Sequence, residues 1–456
     1  MRRTLNSLLS SFARSQAVAS QRRPGPGKRL PFPRMSAVAN SDGAANAYPR
    51  TSQTGQYCSA EVPKGRMDFG VGQPGPTLLP NKVVQEATEH AFKKQASIPE
   101  EAFVLQYNKR PGHRAFRDSL AQFLTTGYGS QVHPDELMVT AGVSHGLDLA
   151  CRAFTKPGDI VLVEENTYFL AFQILKDSHV TLHSVPADAS GMSVDALREK
   201  VESLAKVPAL VYLCPTHGNP TGVTMVPERR QQLVQYAKAH EMKVISDDVY
   251  QLLSFPGHRP PPPLRTFDEE GDTVVSISSF SKIMAPGLRC GWVEASKPLL
   301  DRILSNGVIT SGGCICPFTA SIIQAGLELG LVERHLQRVR EELSRRCMAL
   351  CSELCEQIPH IEFRQPNGGY FVWVRVPNGI VAHDLLGQAA ERGVRFCPGF
   401  RCSIDQDGDS KNFMRLSFAF YEAHEMKLGV ARLAEALCTY DPKALPKEVE
   451  DTAAGE

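Results

Sequence analysis

The chain has 456 residues, 42% of them hydrophobic and 22% charged, with a formal net charge of +1. That length exceeds one typical domain and accommodates two, or one large α/β domain with an appendage. A near-neutral balance gives no case for nucleic acid or an acidic partner, and no apolar run approaches the ~20 residues that cross a bilayer. Twelve cysteines include no Cys-x-x-Cys pair, and Cys314-Ile-Cys316 is too tight for an ordinary zinc site, so no metal is expected. Cys347, Cys351 and Cys355 recur at helical spacing and read as one small apolar helix face. Many unpatterned cysteines fit a reducing compartment.

Residues 1–34 carry eight Lys and Arg and no Asp or Glu. Leu5, Leu8, Leu9 and Phe12 fall on one helical face, as in an organellar transit peptide, mitochondrial by preference. Residues 1–35 are therefore expected to be a targeting segment, and Met35 offers an alternative start for a cytosolic form. Residues 36–65 read as linker. Folding signals begin near Met67 with a Gly/Pro-rich turn region, Asp68 to Pro76. A helix follows with Val83, Val84, Ala87 and Ala91 on one face, then a loop over 107–112. A second amphipathic helix carries Phe116, Leu120, Phe123 and Leu124 and is expected to stop at Gly127.

From Leu137 the pattern becomes strand–helix alternation. Strands are expected at Leu137–Thr140, Ile160–Val163, Thr181–Val185, Ala209–Cys214, Met242–Ser246 and Thr273–Ile277. Apolar strands separated by helices argue for a mainly parallel sheet covered on both faces. Ligands of such sheets sit at the carboxyl ends of the strands. The Pro-rich run Phe255–Pro263 reads as a surface loop. After residue 310 a long stripe, Val332 to Leu350, is followed by strand-like runs at Gly369–Val376 and Phe413–Phe420 and a last helix with Met426, Val430, Leu433 and Leu437. The organisation expected is a large domain over 81–310, a smaller α+β domain from 66–80 and 311–440, and a polar tail over 441–456.

The residues able to carry chemistry follow strands. Ser276-Ile-Ser-Ser-Phe-Ser-Lys282 puts a lysine among hydroxyls at a strand exit, which suits imine formation with an aldehyde. Those hydroxyls and Arg289 suit a phosphate. Gly142-Val-Ser-His-Gly146, between a strand and a helix, offers backbone N–H groups and the Ser144 hydroxyl to an anion. Asn219, in Asn-Pro-Thr-Gly, can donate to a ring oxygen. Asp247 could hold a cationic ring nitrogen, and Tyr250 could donate to a phenolate. Arg415 lies in an apolar strand and needs a partner, either an internal acid or a substrate carboxylate.

Read together, these motifs resemble the class I/II pyridoxal-phosphate-dependent aminotransferases, from about Asp68 to Leu437, closest to the 2-aminoadipate/kynurenine branch. The resemblance implies an aspartate-aminotransferase-like α/β fold and an amino acid and a 2-oxo acid as substrates. Lys282 would hold the cofactor aldehyde and shuttle the proton. Asp247 would pair with the pyridinium nitrogen, and Tyr250 and Asn219 would bond the phenolic oxygen. Tyr168 would stack on the ring. The amides of Val143 and Ser144, with Ser279, Ser281 and Arg289, would hold the phosphate. Tyr107 would reach the phosphate of a neighbouring subunit, which implies a homodimer. Arg415 would bind the substrate carboxylate, with Asn219 and Gly72 beside it. The chain departs from the family pattern at Val143, which supplies only its backbone, and at Cys402, where relatives often carry an aromatic.

The reaction implied moves an amino group to a 2-oxo acid, 2-oxoglutarate by analogy, in a ping-pong cycle through pyridoxamine phosphate. The alternatives are a β-lyase of cysteine conjugates, a synthase using the same cofactor, or an aminotransferase-like body in a DNA-binding regulator. The last would require a helix-turn-helix ahead of the fold, and no such pattern precedes Asp68.

Overall fold

The computed structural model describes residues 65–97, 105–377, 379–405 and 408–442. The expected targeting segment, the linker ahead of Gly65 and most of the tail lie outside the described residues.

Seven strands form the central sheet: β1 (Leu137–Thr140), β2 (Ile160–Glu164), β3 (Thr181–Val185), β4 (Leu210–Leu213), β5 (Lys243–Asp247), β6 (Val274–Ser279) and β7 (Gly291–Glu294). Their order is β1-β7-β6-β5-β4-β2-β3. Pairing is parallel from β6 across to β3, and β7 runs antiparallel to both β1 and β6. Every residue of β1, β4 and β6 is buried, as a sheet covered on both faces requires.

The pleat sorts the side chains. Val161, Val163, Leu210, Tyr212, Ile245, Val275 and Ile277 pack on one side with α3 (Val143–Phe154), α4 (Phe169–Lys176) and α7 (Lys297–Leu304). Leu162, Val211, Leu213, Val244 and Val274 pack on the other with α5 (Val194–Ser203) and α6 (Pro227–Ala239). Alternation of this kind follows from the two-residue period of a strand.

A second, antiparallel sheet contains β8 (Glu362–Phe363), β9 (Phe371–Arg375), β10 (Cys397–Pro398) and β11 (Phe413–Ser417), in the order β8-β9-β11-β10. It shares a core with α10 (Leu331–Gln357) and α12 (Met426–Cys438), through Val372, Leu416, Leu343, Leu350, Val430 and Leu433. The same core takes in Phe116, Leu120 and Leu124 of α2 (Arg114–Tyr128). The helix α1 (Asn81–Ser97) sets Ala87 and Ala91 against Ile322 and Ala325 of α9 (Pro317–Glu328). Cys347 and Cys351 are buried in α10, whereas Cys355 on the same stripe is exposed.

Two expectations are corrected, and one strand is added. Helix α2 runs through Gly127 and ends at Gly129, whose φ of 71° is the left-handed cap. Gly127 is instead a packing position, where a Cβ would stand 2.6 Å from Leu252 Cδ2. Strand β7, which begins two residues after Arg289, was not expected from the sequence. The runs expected at 369–376 and 413–420 pair over Phe371–Arg375 and Phe413–Ser417, and Gly369 turns at φ 71° against His217 before β9 begins.

The N-terminal strip is sewn to the C-terminal half. Met67 and Asp68 pair in parallel with Val394 and Arg395. The Gly75 N–H donates to the Ala419 carbonyl at 2.9 Å. The fully buried Arg346 donates to Glu342 (2.7 Å), the Ala419 carbonyl (2.9 Å), Thr77 (2.9 Å) and Glu422 (2.6 Å).

Candidate active site

A cavity of about 600 Å³ opens at the carboxyl rim of the central sheet. Its wall includes Val143, Ser144, Tyr168, Asn219, Asp247, Tyr250, Ser279, Ser281, Lys282, Arg289, Arg415 and Gly72. Residues separated by more than 340 positions thus converge on one chamber. Tyr107 stands apart from it and is 86% exposed.

Lys282 follows β6. Its Nζ donates to the Gly72 carbonyl at 2.6 Å, and its own carbonyl accepts the Tyr370 hydroxyl at 2.7 Å. Main chain and side chain are thereby both fixed. Asp247 ends β5 and is only 3% exposed. Its Oδ2 accepts the Tyr212 hydroxyl at 2.8 Å, while Oδ1 is buried with no hydrogen-bond partner. Burial pushes this carboxyl up to about 7, and Asp248 pushes the same way. The Tyr212 hydroxyl, the Val249 N–H and Lys282 pull it down. A buried acceptor without a donor is costly, and a cationic ring N–H at Oδ1 would satisfy it and restore the carboxylate.

The anion end is built from backbone and small side chains. Gly142 sits at φ 88° ahead of α3, and no side chain caps that helix. The first N–H groups of the helix therefore remain available to an anion. A Cβ on Gly142 would stand 3.0 Å from Arg289 Nη2, so glycine lets the guanidinium approach the turn. Arg289 also donates to the Ala141 carbonyl at 3.0 Å. The Ser279 and Ser281 hydroxyls are 2.8 Å apart. Hydroxyls, amides and a guanidinium together fit a phosphate monoester.

Opposite lies Arg415 on β11. It donates to Asn219 Oδ1 at 2.8 Å and to the Gly70 carbonyl at 2.7 Å, and its Nε is buried without a partner. Phe371 lies 4.1 Å from its guanidinium carbon. Among the described residues its partners are neutral oxygens, not a carboxylate, so an internal ion pair is not its role. With its oxygen committed to Arg415, Asn219 keeps its NH2 as a donor. A Cβ on Gly72 would stand 3.1 Å from Phe371 Cζ and 3.8 Å from Arg415 Nη2. Tyr250 is buried between Tyr370 and Phe371, and burial holds its hydroxyl well above the usual range.

Sequence reading did not find Gly70, Gln73, Phe169, Leu170 and Phe371, which also line the wall. It also missed Tyr212. Behind Asn219, His217 stands at φ 47°, with Nε2 2.8 Å from Ser254 Oγ and Nδ1 3.2 Å from Thr224 Oγ1. A side chain on Gly368 would collide with that ring. Burial lowers the imidazole to about 3, so it is neutral. Cys402 is buried, and its carbonyl accepts the Thr167 N–H at 2.8 Å beside Tyr168.

An α/β sheet with this rim defines an enzyme built around an aldehyde-bearing phosphate cofactor with a basic ring nitrogen, acting on a carboxylate-bearing amine. The chain belongs to the class I and II aminotransferases, whose family model matches residues 64–433. It is 34% identical over 370 residues to aromatic-amino-acid aminotransferase 1 of Thermococcus litoralis, covering 80% of this chain and 86% of that one. The 2-aminoadipate transaminase of Thermus thermophilus is 30% identical, covering 82% and 90%. A crystal structure of the Pyrococcus horikoshii kynurenine aminotransferase with PMP superposes with a TM-score of 0.75 at 31% identity, covering 82% and 91%. The fold is accordingly the aspartate-aminotransferase-like α/β fold, and the protein is a pyridoxal-phosphate-dependent transaminase of the aromatic/2-aminoadipate/kynurenine branch.

Proposed function

We propose that this transaminase takes amino donors with long or aromatic side chains, passes the amino group to 2-oxoglutarate, and works as a homodimer in the mitochondrion. The observation that carries the donor class is the setting of Arg415, with Phe371 at 4.1 Å and Phe169 at 5.6 Å from its guanidinium carbon. A carboxylate held there leaves its side chain against aromatic walls, where apolar surface gains most from burial. The names of the relatives point the same way.

Bound pyridoxal phosphate supplies an aldehyde that condenses with amines and a ring that takes up the electron pair released at Cα. The residues do the rest. Arg415 and the Asn219 amide orient the donor by its carboxylate. Lys282 Nζ, in reach of the Gly72 carbonyl, would take the donor's Cα proton as a base and give it up again as an acid on the far side of the donor's nitrogen. Asp247 Oδ1 holds a proton on the ring nitrogen. The turn at Gly142, Ser279, Ser281 and Arg289 anchors the phosphate.

The homodimer rests on Tyr107, a large aromatic left in solvent by its own chain and assigned by the family pattern to a neighbouring site. The mitochondrial location rests on the acid-free, Arg-rich residues 1–34, with a chain begun at Met35 expected in the cytosol.

A panel of amino acids against the purified enzyme tests the donor class. Kynurenine, 2-aminoadipate and aromatic amino acids should convert bound cofactor to pyridoxamine phosphate. Exclusive use of short donors would overturn that class. Release of pyruvate and ammonia from cysteine conjugates, without pyridoxamine phosphate, would mark a lyase instead.

A further inference from the structure

We propose that Tyr212 is a positioning residue for the cofactor, its hydroxyl holding one oxygen of Asp247 so that the other is presented to the ring nitrogen as a carboxylate. The proposal rests on the transaminase reading of the cavity and adds to it a side chain from the strand interior beneath.

The sheet register places the pair. Tyr212 on β4 lies directly opposite Ile245 on β5. Asp247 is two residues further along β5, on the same face, and the Tyr212 hydroxyl reaches it at 2.8 Å. Tyr212 is fully buried, and its ring packs with Val161, Val163, Leu210 and Ile245. A phenylalanine would fill that apolar space. The hydroxyl adds a donor, and the donor goes to a carboxylate whose other oxygen lacks a partner.

A carboxylate buried in apolar surroundings tends to take up a proton. Each hydrogen bond it accepts opposes that tendency, and the bond from Tyr212 opposes it here. The other groups around Asp247 are Asp248 and Tyr250 just beyond β5, Lys282 beyond β6, Cys214 beyond β4, and Tyr168 at the start of α4. Asp248 is engaged by Ser246 at 2.9 Å and Ser276 at 2.5 Å. Tyr212 is the side-chain hydroxyl bonded to Asp247. Without it, the shared proton moves from the ring nitrogen toward the carboxyl, and the ring accepts electrons less well.

The test uses the full-length enzyme loaded with pyridoxal phosphate labelled with nitrogen-15 in the ring. The nitrogen chemical shift, followed against pH, reports where the ring loses its proton. In Tyr212→Phe that midpoint should fall by about one pH unit, and cofactor affinity should weaken about tenfold, the weight of one hydrogen bond to a charged group. An analogue with C–H in place of the ring nitrogen should bind wild type and variant equally. An unmoved midpoint, or equal loss of affinity for both cofactors, overturns the proposal. Should the phenylalanine variant fail to fold, fluorotyrosine at position 212 keeps the shape and strengthens the donor. The midpoint should then rise, and no change overturns the proposal. Absence of any half-reaction in wild type would sink the transaminase reading, while the nitrogen shift would still decide the role of Tyr212.

Discussion

The cavity has two walls of different origin. The wall for the cofactor comes from turns that end strands β1, β4, β5 and β6, and each of its groups stands where a parallel sheet places functional residues. The wall for the substrate comes from three distant pieces: the strip at Gly70–Gln73, the start of α4 and the antiparallel sheet with Phe371 and Arg415. The first is local chemistry held by a rigid frame. The second exists only when the chain has folded back over hundreds of residues. Cofactor chemistry should therefore be robust to change in the second wall, and donor choice should be robust to change in the first.

The sharpest way to break that division is at Lys282, which belongs to the first wall yet touches the second through the Gly72 carbonyl. Lys282→Ala should lower turnover by about 10⁴-fold or more, since both proton transfers are lost, while the protein still folds. Substantial turnover in a preparation free of other transaminases would refute the assignment. Arg415→Lys comes next. Replacing a planar, two-armed donor by a point charge should raise KM for amino and oxo acids by about 10–100-fold. Cofactor affinity, measured by absorbance titration, should hardly move. A matching loss of cofactor affinity would show that the walls are not separable.

The smallest effect concerns stability and pH. Asp247 is raised from 3.8 to about 7 in the folded chain. Between those values the folded state keeps a proton that the unfolded chain has released, so stability declines as pH rises from about 4 to about 7. Glu164, raised to about 7 by burial, contributes in the same sense. Cofactor-free Asp247→Asn should lose part of this decline, gaining about 2 °C in Tm over wild type at about pH 8 and little at about pH 5. Saturating pyridoxal phosphate should reverse the order, because a cationic ring N–H finds a charged acceptor only in wild type. An equal gain at both pH values would remove Asp247 from the account.

The two walls also differ in how far the sequence discloses them. Lysine, aspartate, asparagine and arginine in strand-exit turns stand out against apolar strands, and their order along the chain carries the family pattern. Phe169, Leu170 and Phe371 look like any core aromatic or aliphatic until the sheets are placed. Gly70 contributes only a carbonyl, met by Arg415 345 residues away, and a carbonyl has no sequence signal. Tyr212 reads as an ordinary β-strand aromatic, since only the register shows that its diagonal neighbour is Asp247. Strand β7 escaped notice because Gly-Trp-Val-Glu is short and ends in a charge. It lies between β1 and β6 and joins them into one sheet. Gly127 misled in the opposite direction, since a glycine near a helix end suggests a stop, whereas the close approach of Leu252 is what demands it.

Arg346 gives the substrate wall its mechanical character. One guanidinium, shut away from water, clasps the strip at Thr77, the main chain at Ala419 and two acids on separate helical segments. Peeling the strip away would cost Arg346 its bond to Thr77 and the Gly75 N–H its acceptor at Ala419, while Glu342 and Glu422 would still pair the charge. Gly70 and Gly72 are thereby tethered to α10 and the antiparallel sheet, so the substrate wall is held together by bonds made far along the chain from the glycines that line it.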